Sequence, residues 1–328
     1  MPGRWWSVVP LLVLVSPLCA LFCLRGGESQ GEVVQRMVLS EVNNRCATCH
    51  RAFVDEWSGS RHAKAFSGMT YQKAARLMGM RATQCDTCHA PGLVQTTGAD
   101  QLPGFRQLAN VPDRGVMCVC CHLDGDGAMH GPYGGKTEFH KTVKDDSFKT
   151  NAPCVACHGQ TAGAGADYDQ VTPFKTYEAT AKGTTCATCH MPTVEREAAT
   201  GSPRRKCGAH RWPGAYNQAM LARAATASLK VEGTSATVTV KNGTGHMMPG
   251  GAWRQCVLLI LSDHQIVKRE IFARTPGGWS DTRLKPTEQR VVTATVVAGA
   301  KVKAQLWWKP MPDTPENQST LMSELTPG

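Results

Sequence analysis

Hydrophobic and polar positions divide the chain into three stretches. Residues 5–24 form an almost continuous apolar run that follows Arg4. From residue 28 to about 228 the apolar positions keep no period for long, and glycine and proline are frequent. That pattern predicts short helices joined by irregular segments. The predicted helices cover residues 32–43, 54–66, 72–78 and 216–229.

After about residue 227 the pattern changes to short runs rich in β-branched and apolar residues, separated by Gly, Pro, Asp and Asn. Residues 256–261 are apolar throughout, as in a strand buried on both faces. Strands at this spacing, with no helices between them, favour a small antiparallel β-sandwich of about 100 residues. The predicted strands are residues 229–231, 236–241, 256–261, 266–272, 289–297 and 302–308.

Five Cys-x-x-Cys-His pentapeptides lie in the irregular stretch, and successive first cysteines are 32 to 39 residues apart. This is the attachment pattern of c-type haem, in which two thiols bond the porphyrin and the histidine ligates iron. Roughly 0.02 copies are expected by chance from this composition. A zinc ribbon or a redox dithiol would leave the histidine after every pair unexplained. The motifs predict five covalently bound haem c groups, attached through Cys46, Cys49, Cys85, Cys88, Cys118, Cys121, Cys154, Cys157, Cys186 and Cys189, with proximal ligands His50, His89, His122, His158 and His190.

The fold class predicted from these patterns is α+β. A haem-wrapped, mostly helical and irregular multihaem cytochrome c domain at residues 28–228 precedes a β-sandwich-like domain at residues 229–328. The third motif contains an extra cysteine, Cys120, which is a packed small residue, a free thiol or a disulfide partner of Cys207. Packing is the preferred interpretation.

Six further histidines are available for the distal side of the irons. If its segment is helical, His62 lies about 18 Å from His50 at 1.5 Å per residue, whereas two ligands of one iron lie about 4 Å apart. His62 therefore serves a haem other than the first. His264 lies in a polar hairpin turn and is not expected to bind iron. The predicted distal ligands are His62, His130, His140, His210 and His246, with Met247 or Met248 as alternatives to His246.

Charge and the N-terminus bear on partners and compartment. The net charge of +10 would favour nucleic acid or an anionic membrane, but five haems add about ten negative propionate charges, so no nucleic-acid partner is predicted. Residues 1–27 are predicted to be a signal peptide or an N-terminal membrane anchor, because the apolar run lacks a clear cleavage site and nearly spans a bilayer. Leu18 and Phe22 disfavour a lipoprotein. The predicted location is periplasmic or at the cell surface.

The chain resembles the cytochrome c-554 group of multihaem cytochromes. The resemblance lies in the haem motifs, in Trp57-x-x-Ser60-x-His62, and in a Gly-Pro-Tyr-Gly segment before His140. It continues in His210-x-x-Pro-Gly and in Gly245-His246 followed by Pro249-x-Gly251, and it covers residues 46–251. It implies closely packed, mostly bis-His haems that relay electrons in the periplasm, with His62 as a distal ligand.

The predicted function is electron relay between redox partners, with no catalytic residue. Other redox proteins or quinol-linked membrane complexes are the expected partners. Self-association into a homo-oligomer or a filament is also compatible with the sequence. One alternative is an oxidoreductase acting on a small nitrogen or sulfur oxyanion at one open haem. The basic residues near His210 would then draw in the anion, or they pair with propionates. The other alternative is a subunit of a conductive cytochrome assembly.

Overall fold

The computed structural model describes residues 28–79, 83–93, 115–159, 161–162, 166–167, 169–179, 181–251, 253–274 and 280–327. The signal peptide or anchor predicted at residues 1–27 lies outside these ranges. Within them, no helix combines the length and the apolar character needed to cross a membrane.

Short helices make up most of the N-terminal region. The first begins at a capping box in which Ser29 and Glu32 exchange hydrogen bonds, so the free N–H groups of the first turn are satisfied. The helices are α1 Gln30–Val42, α2 Ala47–Ser58, α3 Met69–Met78, α4 Thr83–His89, α5 Cys118–His122, α6 Ala152–His158, α7 Val171–Glu178, α8 Cys186–His190 and α9 Gln218–Ala224.

The protein core of this region is small. Met37 and Val38 of α1 pack with Trp57 and with residues around α5, including Met117 and Leu123. The Trp57 indole N–H donates to the carbonyl of Val116 at 2.7 Å, which satisfies the one polar group of that side chain. Cys120 belongs to this core. Its thiol donates to the carbonyl of Pro91 and accepts from the Met117 N–H, and neither Cys120 nor Cys207 forms a disulfide, so the packing interpretation is confirmed.

Short strand pairs interrupt the helices. β1 (Met129–Gly131) and β2 (Thr142–Lys144) are parallel, while β3 (Thr161–Ala162) and β4 (Ala166–Asp167) are antiparallel. β5 (Thr193–Glu197) and β6 (Arg204–Gly208) form an antiparallel hairpin. None of these strands was predicted, because they carry many charged or small residues and almost no apolar alternation.

The C-terminal region consists of two antiparallel sheets that share one hydrophobic core. The strands are β7 Ala225–Glu232, β8 Ser235–Asn242, β9 Gln255–Ser262, β10 Gln265–Ala273, β11 Gln289–Thr295, β12 Val302–Lys309 and β13 Thr320–Leu325. One sheet has the order β10-β9-β12-β13 and the other β11-β8-β7. The mostly apolar β9 is an interior strand, as predicted, and Asp263 and His264 form the positive-φ turn between β9 and β10.

The α+β class is confirmed, with helices followed by antiparallel sheets, but two predicted helices are wrong in extent. The helix predicted at residues 216–229 stops at Ala224, and strand β7 starts at Ala225, four residues before the predicted domain boundary. From that point the burial alternates with a period of two, as a strand requires. The helix predicted at residues 54–66 starts earlier and ends at Ser58.

Candidate haem-binding sites

Each Cys-x-x-Cys-His motif lies in or at the start of a short helix. In a helix, residues three and four positions apart lie on the same face. The first cysteine of a motif therefore shares a helix face with the second cysteine and with the histidine, while in the first motif the helix is kinked at His50. The five helices are α2, α4, α5, α6 and α8.

Four of the five motif histidines face a second histidine from a distant part of the chain. Two imidazoles on one iron have their ring centres about 6 Å apart, because each iron–nitrogen bond is about 2 Å and the ring centre lies about 1 Å beyond the nitrogen. The observed separations match this value: His50–His140 at 6.3 Å, His158–His62 at 6.2 Å, His122–His210 at 6.2 Å and His190–His246 at 6.4 Å. Each pair is named after the motif that supplies its first histidine. His50–His140 is the first pair, His122–His210 the third, His158–His62 the fourth and His190–His246 the fifth.

Backbone carbonyls accept hydrogen bonds from Nδ1 of most of these rings and of His89. The other ring nitrogen, Nε2, is then the one available to iron. A carbonyl acceptor at Nδ1 fixes the proton there and leaves Nε2 with its lone pair. The contacts from Nδ1 are His50 to Ala198 at 2.6 Å, His89 to Ala65 at 2.7 Å, His122 to His130 at 2.7 Å, His190 to Pro213 at 2.7 Å, His210 to Gly208 at 2.9 Å and His246 to Met247 at 3.0 Å.

Burial favours the neutral form of most of the paired imidazoles. It lowers the pKa of His62 to about 3 and the pKa of His158, His210 and His246 to about 4, and neighbouring imidazoles add to the effect. Burial also lowers the pKa of His89, His122 and His140. Iron binds the neutral form, so these rings need not lose a proton to become ligands.

The geometry of His130 does not fit the predicted ligand role. Its Nε2 lies 2.9 Å from Asp124 and its Nδ1 lies 3.0 Å from Asp145. Burial opposes a charge here, but the two carboxylates outweigh it and raise the pKa of His130. With both nitrogens bound to carboxylates, the ring has no lone pair for iron. Its backbone carbonyl instead accepts the hydrogen bond from His122.

His89 of the second motif has a different environment. Among the described residues, its ring stacks on Tyr71, with centroids 4.0 Å apart and planes 16° apart, and no second histidine faces it. A stacked aromatic covers the face of the imidazole and is not an axial partner. Four motif histidines are thus paired and His89 is not.

Two aromatic side chains connect imidazole pairs. The ring centre of Phe53 lies 4.9 Å from that of His210 and 6.4 Å from that of His50, so Phe53 joins the first and third pairs. Trp212 lies 4.5 Å from His62 and 5.0 Å from His210, which joins the third and fourth pairs. Sequence reasoning missed Phe53, although it lies only three residues after His50, at which α2 is kinked.

Cysteines of different motifs also meet. The thiol of Cys88 lies near that of Cys157, and the thiol of Cys154 lies near that of Cys186, close enough for the two thiols of each pair to influence each other's pKa. The fourth motif is therefore adjacent to both the second and the fifth.

The loop of the β5–β6 hairpin contacts the first motif, and the strands of the hairpin carry cationic side chains. The Thr200 N–H donates to the Cys49 carbonyl at 2.9 Å, and the Arg205 guanidinium lies over Tyr133. Within the described residues, Nε of Arg205 is buried without a hydrogen-bond acceptor. A haem propionate would supply that acceptor, so the residues present fit a porphyrin at this site.

A loop of the C-terminal region carries His246. Asn242 is fully buried, and its amide donates to the carbonyls of His246, Leu284 and Lys285 at 2.8 to 3.0 Å. Gly245 lies so close to α7 that an added Cβ would be 2.7 Å from the ring of Phe174. The two regions therefore make close contact where His246 meets His190.

Comparisons with known proteins support a multihaem c-type cytochrome. Residues 45–123 match the family described as cytochrome c554 and c-prime. Cytochrome c-554 from Nitrosomonas europaea is 28% identical over 179 residues, which are 47% of this chain and 72% of that relative. The chain resembles cytochrome c-554. The resemblance predicted from the motifs is confirmed, and it supports covalently bound haem c and electron transfer with a redox partner.

A solved structure extends the likeness to most of the chain. The penta-haem cytochrome c552 from Thermochromatium tepidum superimposes with a TM-score of 0.64. The match covers 86% of this chain and 97% of that chain at 19% identity. At this identity the likeness establishes a shared fold.

Proposed function

We propose that this protein is an exported pentahaem c-type cytochrome that relays electrons between redox partners through mostly bis-His haems. The observation that carries the proposal is the set of four imidazole pairs, each separated by 6.2 to 6.4 Å. When bound, each haem accepts and releases one electron at its iron. The chain contributes the axial nitrogens, fixes their orientation through carbonyls, and excludes water from the buried rings.

The contacts between sites support a spatial order for the haems. Phe53 links the first and third pairs, and Trp212 links the third and fourth. The contacts Cys88–Cys157 and Cys154–Cys186 put the second and fifth motifs beside the fourth. In the proposed order, the first haem lies next to the third and the third lies next to the fourth. The second and the fifth haems both lie next to the fourth. Electrons would enter and leave at the ends of this branched row.

We infer separate roles for the two proposed domains. The haem domain, residues 28–228, holds the proximal ligands, and the β-sandwich-like domain, residues 229–328, supplies His246 and a face for a partner. The partner is another redox protein or a quinol-linked membrane complex, in the periplasm or at the cell surface. Self-association into a conductive assembly would be recognised by concentration-dependent sedimentation.

The mass of the mature protein tests the cofactor proposal. We expect the polypeptide plus five haems. Cys118→Ala should reduce haem attachment at the third motif, whereas Cys120→Ala, two residues away, should keep all five haems. A mass without haem, or zinc in its place, would overturn the proposal. An electron paramagnetic resonance redox titration then counts bis-His centres, and fewer than four would contradict the pairing.

A second candidate function rests on His89. No second imidazole faces it among the described residues, and the Arg254 cation lies close enough to contribute to lowering its pKa, after burial. An iron with an open position beside a cation could bind a small anion such as nitrite or sulfite, or hydroxylamine. A high-spin ferric signal that changes on adding one of these, and responds less in Arg254→Gln, would favour this function. Five low-spin centres that do not respond would exclude it.

A further inference from the structure

Two buried glutamates lie on the first two helices and belong to no haem motif. Glu41 of α1 is 4% exposed, and the side chain of Glu56 of α2 is 9% exposed. A carboxylate is seldom buried unless hydrogen bonds or cations compensate the lost hydration. The partners of both side chains lie at the third haem site, on opposite sides of it.

Glu41 binds the proximal side of that site. Its two carboxylate oxygens accept the backbone N–H groups of Cys118 at 2.7 Å and Val119 at 2.9 Å, at the start of α5. Glu41 therefore holds the start of the third motif and lies beside the first cysteine of that motif.

Glu56 binds the distal side. One of its oxygens accepts the backbone N–H of His210 at 2.8 Å, and Arg196 binds both oxygens at 2.8 and 3.0 Å. The Arg196 guanidinium in turn lies over Phe53, the ring that contacts His210. Burial disfavours the charged carboxylate, but Arg196 and the His210 N–H keep the pKa of Glu56 below its ordinary value. Glu56 therefore orients the segment that carries the distal histidine.

We propose that Glu41 and Glu56 are positioning residues that hold the two axial sides of the third haem and lower its midpoint potential. The inference rests on the proposed function, because it requires haem iron between His122 and His210. Oxidation adds one positive charge at the iron, and nearby carboxylates stabilise that charge in a medium of low dielectric constant. Removing the Glu56 carboxylate also leaves the charge of Arg196 uncompensated, which favours the reduced form further.

The test is a redox titration of holoprotein variants followed by electron paramagnetic resonance. His210→Met first identifies the low-spin signal of the third haem, because that signal alone should change. Glu56→Gln should then move the midpoint of this signal to higher potential. Asp55→Asn is the matched control, since Asp55 is the preceding residue on α2 and its pair with Arg51 is exposed. It should leave the signal at the wild-type midpoint.

Glu41→Gln is the second variant and tests the proximal side. It should raise the same midpoint, or yield protein that lacks haem only at Cys118 and Cys121, as peptide masses would reveal. The proposal is overturned if the third-haem midpoint in Glu56→Gln equals that of Asp55→Asn, or if all five midpoints shift equally. If His210→Met leaves every low-spin signal unchanged, the bis-His assignment has failed, which is a different outcome.

Discussion

The side-chain amide of Asn242 donates a 2.8 Å hydrogen bond to the carbonyl oxygen of His246. The same amide donates to two more carbonyls, and its oxygen accepts from the N–H and hydroxyl of Thr244, each at 2.8 Å. One buried side chain therefore binds the His246 loop at two residues and joins it to the segment at Leu284 and Lys285. Through that loop it sets the position of the imidazole opposite His190.

Asn242→Ala should both destabilise the protein and release His246. It removes the hydrogen bonds that join the His246 loop to the carbonyls of Leu284 and Lys285, which keep the N–H groups of Met248 and Glu288 as donors, so the free energy of unfolding should fall by about 1 to 3 kcal/mol. One low-spin haem should become partly high-spin. Denaturant unfolding and electron paramagnetic resonance measure the two effects. Asn217→Ala, which removes only the cap of α9, should cost about 1 kcal/mol and leave the spin states unchanged.

Histidines 130 and 140 should respond differently to substitution although they are only ten residues apart. His140→Gly removes the ring that faces His50, so one low-spin haem should become high-spin. His130→Gln removes a ring already bound to two carboxylates, so the number of low-spin haems should not change, and stability should fall by about 1 to 2 kcal/mol. Resonance Raman spin markers report the result. Loss of a low-spin haem in the His130 variant would restore the original ligand prediction.

Gly245→Ala should disturb the contact between the His246 loop and α7. The added methyl would lie 2.7 Å from Phe174 and 2.8 Å from Tyr177, so either the loop or the rings must move. We expect the free energy of unfolding to fall by about 1 to 3 kcal/mol and the fifth haem to give some high-spin signal. Gly214→Ala is the control, because its methyl would meet no atom within 4 Å. Equal effects of the two substitutions would contradict the close contact.

The Asp281–Arg283 ion pair should stabilise the folded protein near neutral pH and lose this effect at acid pH. Burial raises the pKa of Asp281, but Arg283 outweighs it and holds that pKa below the ordinary value of 3.8. A lowered pKa in the folded state stabilises the protein above pH 3.8, and this contribution disappears as the pH falls through the folded-state value. The acid limb of the unfolding curve should therefore be steeper in the wild type than in Asp281→Asn.

Near neutral pH, Asp281→Asn should cost about 1 to 2 kcal/mol, because it removes a carboxylate bound to the buried Arg283 guanidinium, while Asp281 itself is partly exposed to screening by water. Asp313→Asn breaks an exposed pair with Lys73 and should leave the stability near the wild-type value, because water screens exposed charges. Thermal unfolding between pH 2.5 and 7 compares the three proteins. Parallel acid limbs for all three would show that the Asp281 pair contributes nothing to the pH dependence.

The sequence by itself determined the chemistry and the outline of the fold. The Cys-x-x-Cys-His spacing predicts the attachment residues, because the first cysteine of each motif is three positions from the second cysteine and four from the histidine, the spacings of one helix face. Alternating or fully apolar runs located most of the C-terminal strands, since side chains in a strand change faces with a period of two. The charged strands β5 and β6 carry no such signal and were missed.

Only the tertiary structure decided which histidines face each other. His246 and His190 are brought together by a glycine contact and an asparagine, and nothing in the local sequence of either histidine indicates the other. His130 and His140 look alike in sequence, but two aspartates occupy the ring nitrogens of His130 while His140 turns toward His50. Pairing at one iron needs nitrogens about 4 Å apart, and a distance of that kind depends on how the whole chain packs, not on spacing along it.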